Sequence, residues 1–405
     1  MKTTEAAFQQ DLLQQARLAK STIVGWRRAI HSNPELSFCE KQTSTLVGDT
    51  LAKLSFKVTR GIAGTGLIAD IGSDSGNDKT IIIRADLDAL PIEETPGLEY
   101  GSQNQGVMHA CGHDAHVACA LGAASLVASA FQSGAFKNGR VRFLFQPAEE
   151  MVNDEGKSGA AMMIAENALA GAQAMLALHV FPDVPMGEIS IKEGQFLAAC
   201  DSFDIRVRGS QSHGAYPQDG IDAIVLSAQV VQAIQTIISR KKSALDPAVM
   251  SLGGIKSTTY RHNIIAEEVT LTGTARYFDA SLHEKLKYEL SQACEIATIL
   301  GGSYSLNYVQ DNPPVINDPA ITNLVKDCAA KLIGENNVKP AQLQMGADDF
   351  GFFSAAIPSC YFFLGAEIAG DRRKIHTPNF DIDEDCLPIG AALLTSAALT
   401  YLETD

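Results

Sequence analysis

Positive charge is scarce in this sequence. Its 405 residues include 32 lysines and arginines against 47 aspartates and glutamates, which gives a formal net charge of −15. A field of that sign repels polyanions. We therefore expect no nucleic acid and no anionic membrane surface among the partners.

Paired cysteines and long apolar runs are also missing. The eight cysteines form no CxxC pair, and the segment from Met1 to Lys20 lacks the apolar stretch and cleavage site of a signal peptide. No segment reaches the roughly 18 consecutive apolar residues of a membrane span. These absences predict a cytoplasmic protein with reduced thiols and no membrane partner.

What the sequence does contain is an alternation of strands and helices. The runs TIIIRADLDA, VRFLFQ and AMLALHV are rich in β-branched and apolar residues, and helical patterns separate them. Such an alternation is typical of an α/β fold with a mainly parallel sheet, whose ligand site lies beyond the carboxyl ends of the strands.

The order of strands and helices changes between about residues 187 and 309. There the order is β-α-β-β-α-β, which is the split motif of ferredoxin-like α+β domains. The length also favours two or three domains. We therefore predict a discontinuous domain of residues 1–186 and 310–405, interrupted by an inserted ferredoxin-like domain of residues 187–309.

Potential metal ligands are densest in HACGHDAH, which holds His109, Cys111, His113, Asp114 and His116. Thiolate and imidazole together suit zinc and other borderline divalent ions. Taken alone, the motif is equally compatible with a buried cysteine beside histidines that cap the following helix.

Two adjacent carboxylates follow the second buried strand, in QPAEE. Glu149 and Glu150 could simply be solvated loop acids, since glutamate is rarely buried unpaired. However, Glu149 and Glu150 follow the end of a buried strand, and the histidine cluster is expected at the same edge of the sheet. This shared position favours a catalytic role instead. One carboxylate can bind a metal while its neighbour takes a proton from water.

Two isolated histidines complete the candidate set. His179 ends the third buried strand, and His376 lies in a polar loop before the last helix. With Cys111, His113 and Glu150 they supply five ligands, more than one tetrahedral zinc requires. That number predicts two ions that share a ligand.

Asp86 and Asp88 are two residues apart on a strand and therefore face the same way. They can accept the second N–H of a histidine ligand and fix its tautomer. An ion pair with Arg84 on the same face is an equally good interpretation.

The motifs together resemble a known family. The resemblance is to the dinuclear-metal amidohydrolases related to hippurate hydrolase, auxin-conjugate hydrolases and N-acyl-amino-acid deacylases, within the wider aminoacylase and carboxypeptidase G group. It extends from WRRAIHSNPELSF to the last helix, and it is carried by RADLDALP, MHACGHDAH, QPAEE, LHV, SHGAYPQDGIDAI, HNIIAEEVTLTGTAR, MGADDFGFF, FFLGA and HTPNFDID.

The resemblance implies two divalent metal ions per subunit, from Mn²⁺, Zn²⁺, Co²⁺ or Ni²⁺. Cys111 stands where other branches have a bridging aspartate and is expected to contact both ions, with the remaining ligands being His113, Glu150, His179 and His376. Asp86 stands where other branches have a metal-binding histidine, and it is assigned only a supporting role.

The resemblance also implies roles in catalysis. Glu149 matches the general base, and Asp88 matches the acid that orients the site. His213 resembles a residue that crosses a dimer interface and, with Asn263, holds the carbonyl oxygen of the scissile amide. Arg276 matches the position that binds the α-carboxylate of the substrate. From the sequence alone, the last three are only polar surface residues.

The implied function is hydrolysis of N-acyl or N-aroyl amino acids to a carboxylic acid and a free amino acid. The inserted domain is then expected to act as a lid and to form a homodimer. A dipeptidase or aminopeptidase of the same group is one alternative. Another is a metal-dependent binding or regulatory protein without catalysis, against which the presence of Glu149 argues.

Overall fold

A computed structural model describes residues 11–73, 78–95, 97–134, 136 and 138–404. The chain divides into two compact units. The larger comprises Met1–Phe196, Ile316–Gln342 and Phe352–Asp405, and the smaller comprises Leu197–Val315 and Leu343–Gly351. Residues 1–10, which form half of the segment tested above for a signal peptide, lie outside the described residues.

The larger unit is built on a mixed sheet of eight strands within the described residues. From one edge to the other, these are β1 (Lys57–Ile62), β2 (Gly66–Gly72), β4 (Arg140–Gln146), β3 (Thr80–Asp86), β5 (Ala174–Pro185), β14 (Ser359–Glu367), β6 (Ile189–Ile191) and β13 (Val338–Pro340). The central strands β4, β3, β5 and β14 run parallel, whereas β1 and β2 form an antiparallel edge. The predicted α/β fold with a mainly parallel sheet is confirmed.

Helices cover this sheet. They are α1 (Lys20–His31), α2 (Lys41–Lys53), α3 (His113–Gln132), α4 (Gly159–Ala165), α7 (Pro319–Ile333) and α9 (Leu387–Glu403). Helix α8 (Phe350–Ala356) begins in residues that group with the smaller unit. Helices α3 and α9 are buried almost all round and pack against each other. Glycine permits their close approach, because a Cβ at Gly122 would lie 2.8 Å from that of Ala391.

The smaller unit contains β8 (Ala199–Arg208), α5 (Ala223–Thr236), β9 (Ala248–Ser257), β10 (Glu268–Tyr277), α6 (Leu282–Ile299) and β11 (Ser303–Asn312). Its antiparallel sheet has the order β11-β8-β10-β9. Alternate residues of β8, such as Phe203 and Ile205, are buried against the two helices. The chain order is the predicted ferredoxin-like one. Its role as a lid or dimerisation domain stays a prediction.

The main segment of the smaller unit runs from Leu197 to Val315, whereas the predicted boundaries are 187 and 309. Residues 187–196 group with the larger unit, because the apolar strand β6 is buried in the large sheet and pairs with β14. Residues 343–351 group with the smaller unit, although they lie far along the chain from it. Two short strands, β7 (Gly194–Leu197) and β12 (Val315–Asn317), lie where the chain passes between the units.

In the part of the chain that the structure describes, three helical segments are long and apolar enough to cross a membrane by length and composition. In His113–Gln132 and Glu384–Glu403 the apolar windows are 83% and 78% buried, so they form core. In Ala223–Lys241, which belongs to the smaller unit, only 33% of the window is buried.

Candidate active site

The candidate ligands converge because neighbouring parallel strands end at one edge of the sheet. Asp86 at the end of β3 pairs in register with Gln146 at the end of β4, and QPAEE continues from there. His179 lies in the adjacent strand β5. These carboxyl ends are where ligands bind in open α/β sheets.

Gly112 positions the ligands that precede and begin helix α3. Its φ of 95° lies in the left-handed region, and an added Cβ would lie 2.4 Å from a methyl carbon of Val180. Only glycine satisfies both conditions. The residue thus lets Cys111 and His113 flank a sharp turn at the helix N-terminus.

The five predicted ligands lie together in two groups that share Cys111. Cys111, His113 and His179 form one group, and Cys111, Glu150 and His376 form the other, with ligand atoms within 4.8 Å of one another in each. The Cys111 sulfur is 3.4 Å from Nε2 of His179 and 3.3 Å from Nε2 of His376. A shared ligand between two groups is the arrangement that two adjacent ions require.

Backbone carbonyls orient the buried imidazoles. Nδ1 of His113 donates to the carbonyl oxygen of Asp88 at 2.8 Å, and Nδ1 of His179 donates to that of Val180 at 2.7 Å. Both tautomers therefore leave Nε2 directed toward the cluster, as metal-binding histidines require.

His376 reaches the cluster on a strained backbone. Its φ of 60° lies in the left-handed region, which a residue with a side chain rarely adopts. Its amide donates to the carbonyl oxygen of Ala110 at 2.7 Å. That hydrogen bond fixes His376 beside the Cys111 turn, although half of its side chain is exposed.

The two glutamates are placed differently. Oε1 of Glu150 is 3.3 Å from Nε2 of His376 and, although buried, accepts no hydrogen bond from the described residues. Oε2 of Glu149 is 3.9 Å from Nε2 of His113. A buried carboxylate oxygen without a donor is costly unless a cation meets it.

The ion-pair interpretation applies to Asp86, whereas the histidine that it orients is not one of the predicted ligands. Its Oδ2 accepts from Arg84 at 2.6 Å, and its Oδ1 accepts from Nδ1 of His116 at 2.6 Å. Nε2 of His116 in turn accepts from the amide of Val180 at 3.0 Å. Both ring nitrogens of His116 are thus occupied, so it supports the site without being a candidate ligand.

Asp88 links three parts of the site. Its Oδ2 accepts from the hydroxyl of Ser37 at 2.7 Å and from the amide of Glu150 at 3.0 Å. Its carbonyl oxygen accepts from His113, as described above. It therefore orients neighbouring groups through contacts that the structure displays, and its predicted catalytic role remains a prediction.

The carboxylates dominate the electrostatics. Burial alone would lower the pKa of His113, but Asp86, Asp88 and Glu150 outweigh it and raise the pKa to about 10. Burial, reinforced by Glu150 and Glu149, raises the pKa of the Cys111 thiol well above its ordinary value.

The pKa values of His179 and Asp86 shift in the opposite direction. Burial lowers the pKa of His179 well below its ordinary value, which favours the neutral imidazole that binds metals. Burial would raise the pKa of Asp86, but His113 and Arg84 outweigh it and keep the pKa well below its usual range. A metal ion would displace the protons of Cys111 and His113, and the resulting thiolate and neutral imidazoles, together with the carboxylates, are donors that fit two divalent cations. Two such cations would also offset the negative charge.

Comparison with known proteins identifies the family. The model of peptidase family M20/M25/M40 matches residues 82–400. The chain belongs to this family. It is therefore a metal-dependent hydrolase that acts on amide bonds.

Relatives within the family carry several names. Over 402 residues the chain is 37% identical to thermostable carboxypeptidase 2 of Saccharolobus solfataricus, covering 96% of this chain and 99% of the relative. It is 36% identical over 386 residues to an N-acetyl-L-cysteine deacetylase of Bacillus subtilis, covering 95% and 89%. A solved dinuclear metal-binding M20 peptidase of Bacillus subtilis superposes with a TM-score of 0.82 at 29% identity, covering 96% and 100%.

The other predicted residues of this M20 chain lie in the smaller unit. His213 and Asn263 are exposed neighbours, since the amide of Gly214 donates to the carbonyl oxygen of Asn263 at 2.8 Å. Arg276 is half-buried on β10, where it pairs in register with Cys200 of β8. The structure thus brings His213 and Asn263 together, and their roles stay predictions.

Sequence reasoning missed the contacts behind the ligands. Ser37, Glu40 and His116 all contact the segments that carry the candidate ligands. His116 belonged to the histidine cluster, which was a usable signal. Ser37 and Glu40 are in the part of the chain that carried the resemblance, but no spacing rule relates them to Asp88 or to QPAEE.

Proposed function

We propose that this M20 hydrolase cleaves the amide bond of N-acyl or N-aroyl amino acids, releasing a carboxylic acid and a free amino acid. The observation that carries the proposal is the pair of ligand groups sharing Cys111, with Glu149 beside them. A relative named for deacetylation of N-acetyl-L-cysteine supports the substrate class, as does a plant relative named IAA-amino acid hydrolase.

Residues of the cluster divide the chemistry between them. Two divalent ions held by Cys111, His113, Glu150, His179 and His376 would supply water activation and polarisation of the amide carbonyl. Glu149 is 9% exposed, so its carboxylate is partly shielded from solvent. In the proposed mechanism it takes the proton from the attacking water and then delivers it to the leaving nitrogen.

Three residues of the smaller unit are proposed to bind the substrate. The imidazole of His213 and the amide of Asn263 are suited to donate hydrogen bonds to the carbonyl oxygen as its charge grows. The guanidinium of Arg276 matches a carboxylate through two parallel hydrogen bonds. Together they favour a substrate with a carboxylate next to the scissile amide.

A hydrolysis panel tests the substrate class. The protein, reconstituted separately with Mn²⁺, Zn²⁺, Co²⁺ and Ni²⁺, is offered N-acetyl, N-benzoyl and N-indoleacetyl amino acids beside dipeptides with a free amine. Turnover of the acylated series with little turnover of the dipeptides is the expected result. Preference for the dipeptides would contradict the proposal.

A carboxypeptidase is the second candidate, because the chain is 37% identical to a relative of that name. Such an enzyme removes a C-terminal residue from a peptide, and it also needs a carboxylate-binding group such as Arg276. N-blocked dipeptides added to the panel separate the two functions. A carboxypeptidase cleaves them faster than simple N-acetyl amino acids.

We further propose that the smaller unit forms a homodimer. Ile224 and Val225 on α5 are 50% and 55% exposed, and Ile255 on β9 is 63% exposed. Strand β9 ends the sheet of this unit in the described part of the chain. An open edge strand and exposed apolar side chains on the same unit are both features suited to association with a second copy.

Light scattering and complementation test this proposal. The wild type should have the mass of a dimer, and Ile255→Lys should shift it toward monomer. If His213 acts across the interface, mixing inactive His213→Ala and Glu149→Gln chains should restore partial activity. Mixed dimers that exchange subunits but stay inactive would contradict the role of His213 in the partner's site.

A further inference from the structure

The turn before helix α2 contacts the back of the candidate site. Ser37 donates to Asp88, as described above, and Glu40 immediately precedes the helix. Glu40 is fully buried. A buried carboxylate needs donors to offset the loss of solvation. The groups that donate to Glu40 are therefore the groups that it holds in place.

Three donors surround the Glu40 carboxylate. Oε1 accepts from the amide of Phe38 at 2.9 Å and from the amide of Ala148 at 2.8 Å. Oε2 accepts from the hydroxyl of Thr65 at 2.5 Å. One of these donors, Ala148, belongs to QPAEE and immediately precedes Glu149.

Ala148 adopts an unfavourable backbone conformation. Its φ of 48° lies in the left-handed region, which costs alanine but not glycine. Its carbonyl oxygen accepts from the amide of Gly159 at 2.9 Å, and a Cβ on Gly159 would lie 1.6 Å from the carbonyl oxygen of Pro147. The turn is therefore held by hydrogen bonds on both sides of Ala148 and by close backbone packing.

The amides on either side of Glu149 are both bound by buried carboxylates. Glu40 accepts from the amide of Ala148, and Asp88 accepts from the amide of Glu150. These bonds hold the backbone of Glu149 at two points. A strained conformation persists where the surroundings fix it in this way.

We propose that Glu40 is a positioning residue for catalysis, because it holds the left-handed turn at Ala148 that directs Glu149 toward the metal ligands. The inference rests on the proposed function, since it takes Glu149 to be the general base. It assigns to the turn before α2 a task in the active site that the ligand motifs do not include.

Two substitutions at Glu40 test the hydrogen bonds. Glu40→Ala removes the acceptor and should lower kcat by about 10²-fold with KM little changed, the scale expected from a misplacement of about 1 Å. Glu40→Gln should keep most of the turnover, because its amide oxygen can accept from both backbone amides and the Thr65 hydroxyl can accept from its NH₂.

A glycine at position 148 separates positioning from general damage. If Glu40 stabilises the left-handed turn, Ala148→Gly in the Glu40→Ala background should restore part of the lost kcat, because glycine adopts that conformation without strain. Ala148→Gly alone is the reference. The melting temperature and metal content of each variant are measured alongside, and Glu40→Ala should still bind two ions per subunit.

Glu35→Ala is the matched control from the same turn. The Glu35 carboxylate caps α2 by accepting from the amides of Gln42 and Thr43, so its loss should lower the melting temperature without affecting kcat. The positioning role is refuted if Glu35→Ala and Glu40→Ala lose turnover equally, if Ala148→Gly restores none of it, or if Glu40→Ala stays fully active while Glu149→Gln is inactive. Full activity of Glu149→Gln would instead refute the proposed function itself.

Discussion

Each of the two units buries carboxylates, and these carboxylates differ in how completely their oxygens are hydrogen bonded. In the smaller unit, Asp201 accepts from the hydroxyls of Tyr277 and Tyr308 at 2.8 and 2.7 Å, and it lies 3.0 Å from Nδ1 of His283. Both of its oxygens have donors. Burial raises the pKa of Asp201 in spite of these bonds.

The cluster in the larger unit is incomplete. Oδ1 of Asp88 and Oε1 of Glu150 are buried, and among the described residues neither accepts a hydrogen bond. Native proteins rarely leave such atoms without partners. Buried charge alone therefore does not mark a functional site, whereas a buried carboxylate oxygen without a donor in the described part of the chain, such as Oε1 of Glu150 beside Cys111 and His376, is suited to meet a cation.

The largest effect is expected for Glu149→Gln, which tests whether the incomplete cluster is catalytic. Loss of the proposed general base should lower turnover by about 10²–10⁴-fold, while two ions per subunit remain bound. Steady-state kinetics and elemental analysis on the same sample check both statements. Unchanged turnover would mean that the proton is taken by another group.

His31 of the larger unit, whose two ring nitrogens both face carboxylates, tests how such pairing affects stability. Burial alone would lower the pKa of His31, but Asp114 at 2.8 Å and Glu94 at 3.3 Å outweigh it and raise the pKa from 6.5 to about 9. Because the folded state binds this proton more tightly, the stabilisation is fully present below pH 6.5. It is lost as the pH rises through 9, and it amounts to about 3 kcal/mol.

Urea unfolding between pH 6 and pH 10 measures this dependence. The wild type should lose more unfolding free energy over that range than His31→Gln, in which the titrating group is absent. Parallel curves for the two proteins would show that His31 is not protonated preferentially in the folded state.

Asp86→Asn should weaken metal binding by about 10–100-fold, the usual effect of losing a group that orients ligands. Asp86 holds His116, which in turn accepts from the amide next to His179. Asp70→Asn is the matched control, because Asp70 pairs with Arg142 in the same sheet and contacts none of the candidate ligands among the contacts described. Titration of the metal-free proteins compares them, and equal affinities would contradict the role of Asp86.

The smallest effect is expected for Tyr308→Phe in the smaller unit. Removing its hydroxyl leaves Asp201 with one donor fewer, but Oδ2 keeps its contact with His283, so the free energy of unfolding should fall by about 0.5–1.5 kcal/mol. Metal content and turnover per folded molecule should not change. A drop in kcat without loss of stability would show that the completely bonded cluster also serves catalysis.

The parts that the sequence predicted are those with a local chemical pattern. Strand β3 is buried throughout, and its β-branched run predicted a buried strand of a mainly parallel sheet. Cys111 and His113 belong to a dense local motif and His179 lies in a buried strand, so each was a candidate ligand from its own segment. The periodicity of apolar residues likewise predicted the β-α-β-β-α-β order of the smaller unit.

The parts that could not be predicted depend on contacts between distant segments. Glu40 and Ala148 are 108 positions apart, and alanine gives no indication that it will adopt a left-handed conformation. The antiparallel edge of β1 and β2 was also missed, because β1 is largely exposed and lacks a strong apolar pattern. Such features arise from packing rather than from local propensity.

The ligand groups sharing Cys111 are proposed to hold the two metal ions on which amide hydrolysis depends. Elemental analysis of the purified wild type and of Cys111→Ala, with N-acyl amino acid hydrolysis measured before and after chelation and again after metal is restored, tests this proposal most directly. We expect two ions per wild-type subunit, activity that disappears and returns with them, and loss of both ions and activity in Cys111→Ala. Full hydrolysis by protein stripped of metal, or two tightly bound ions and full activity in Cys111→Ala, would contradict the proposal.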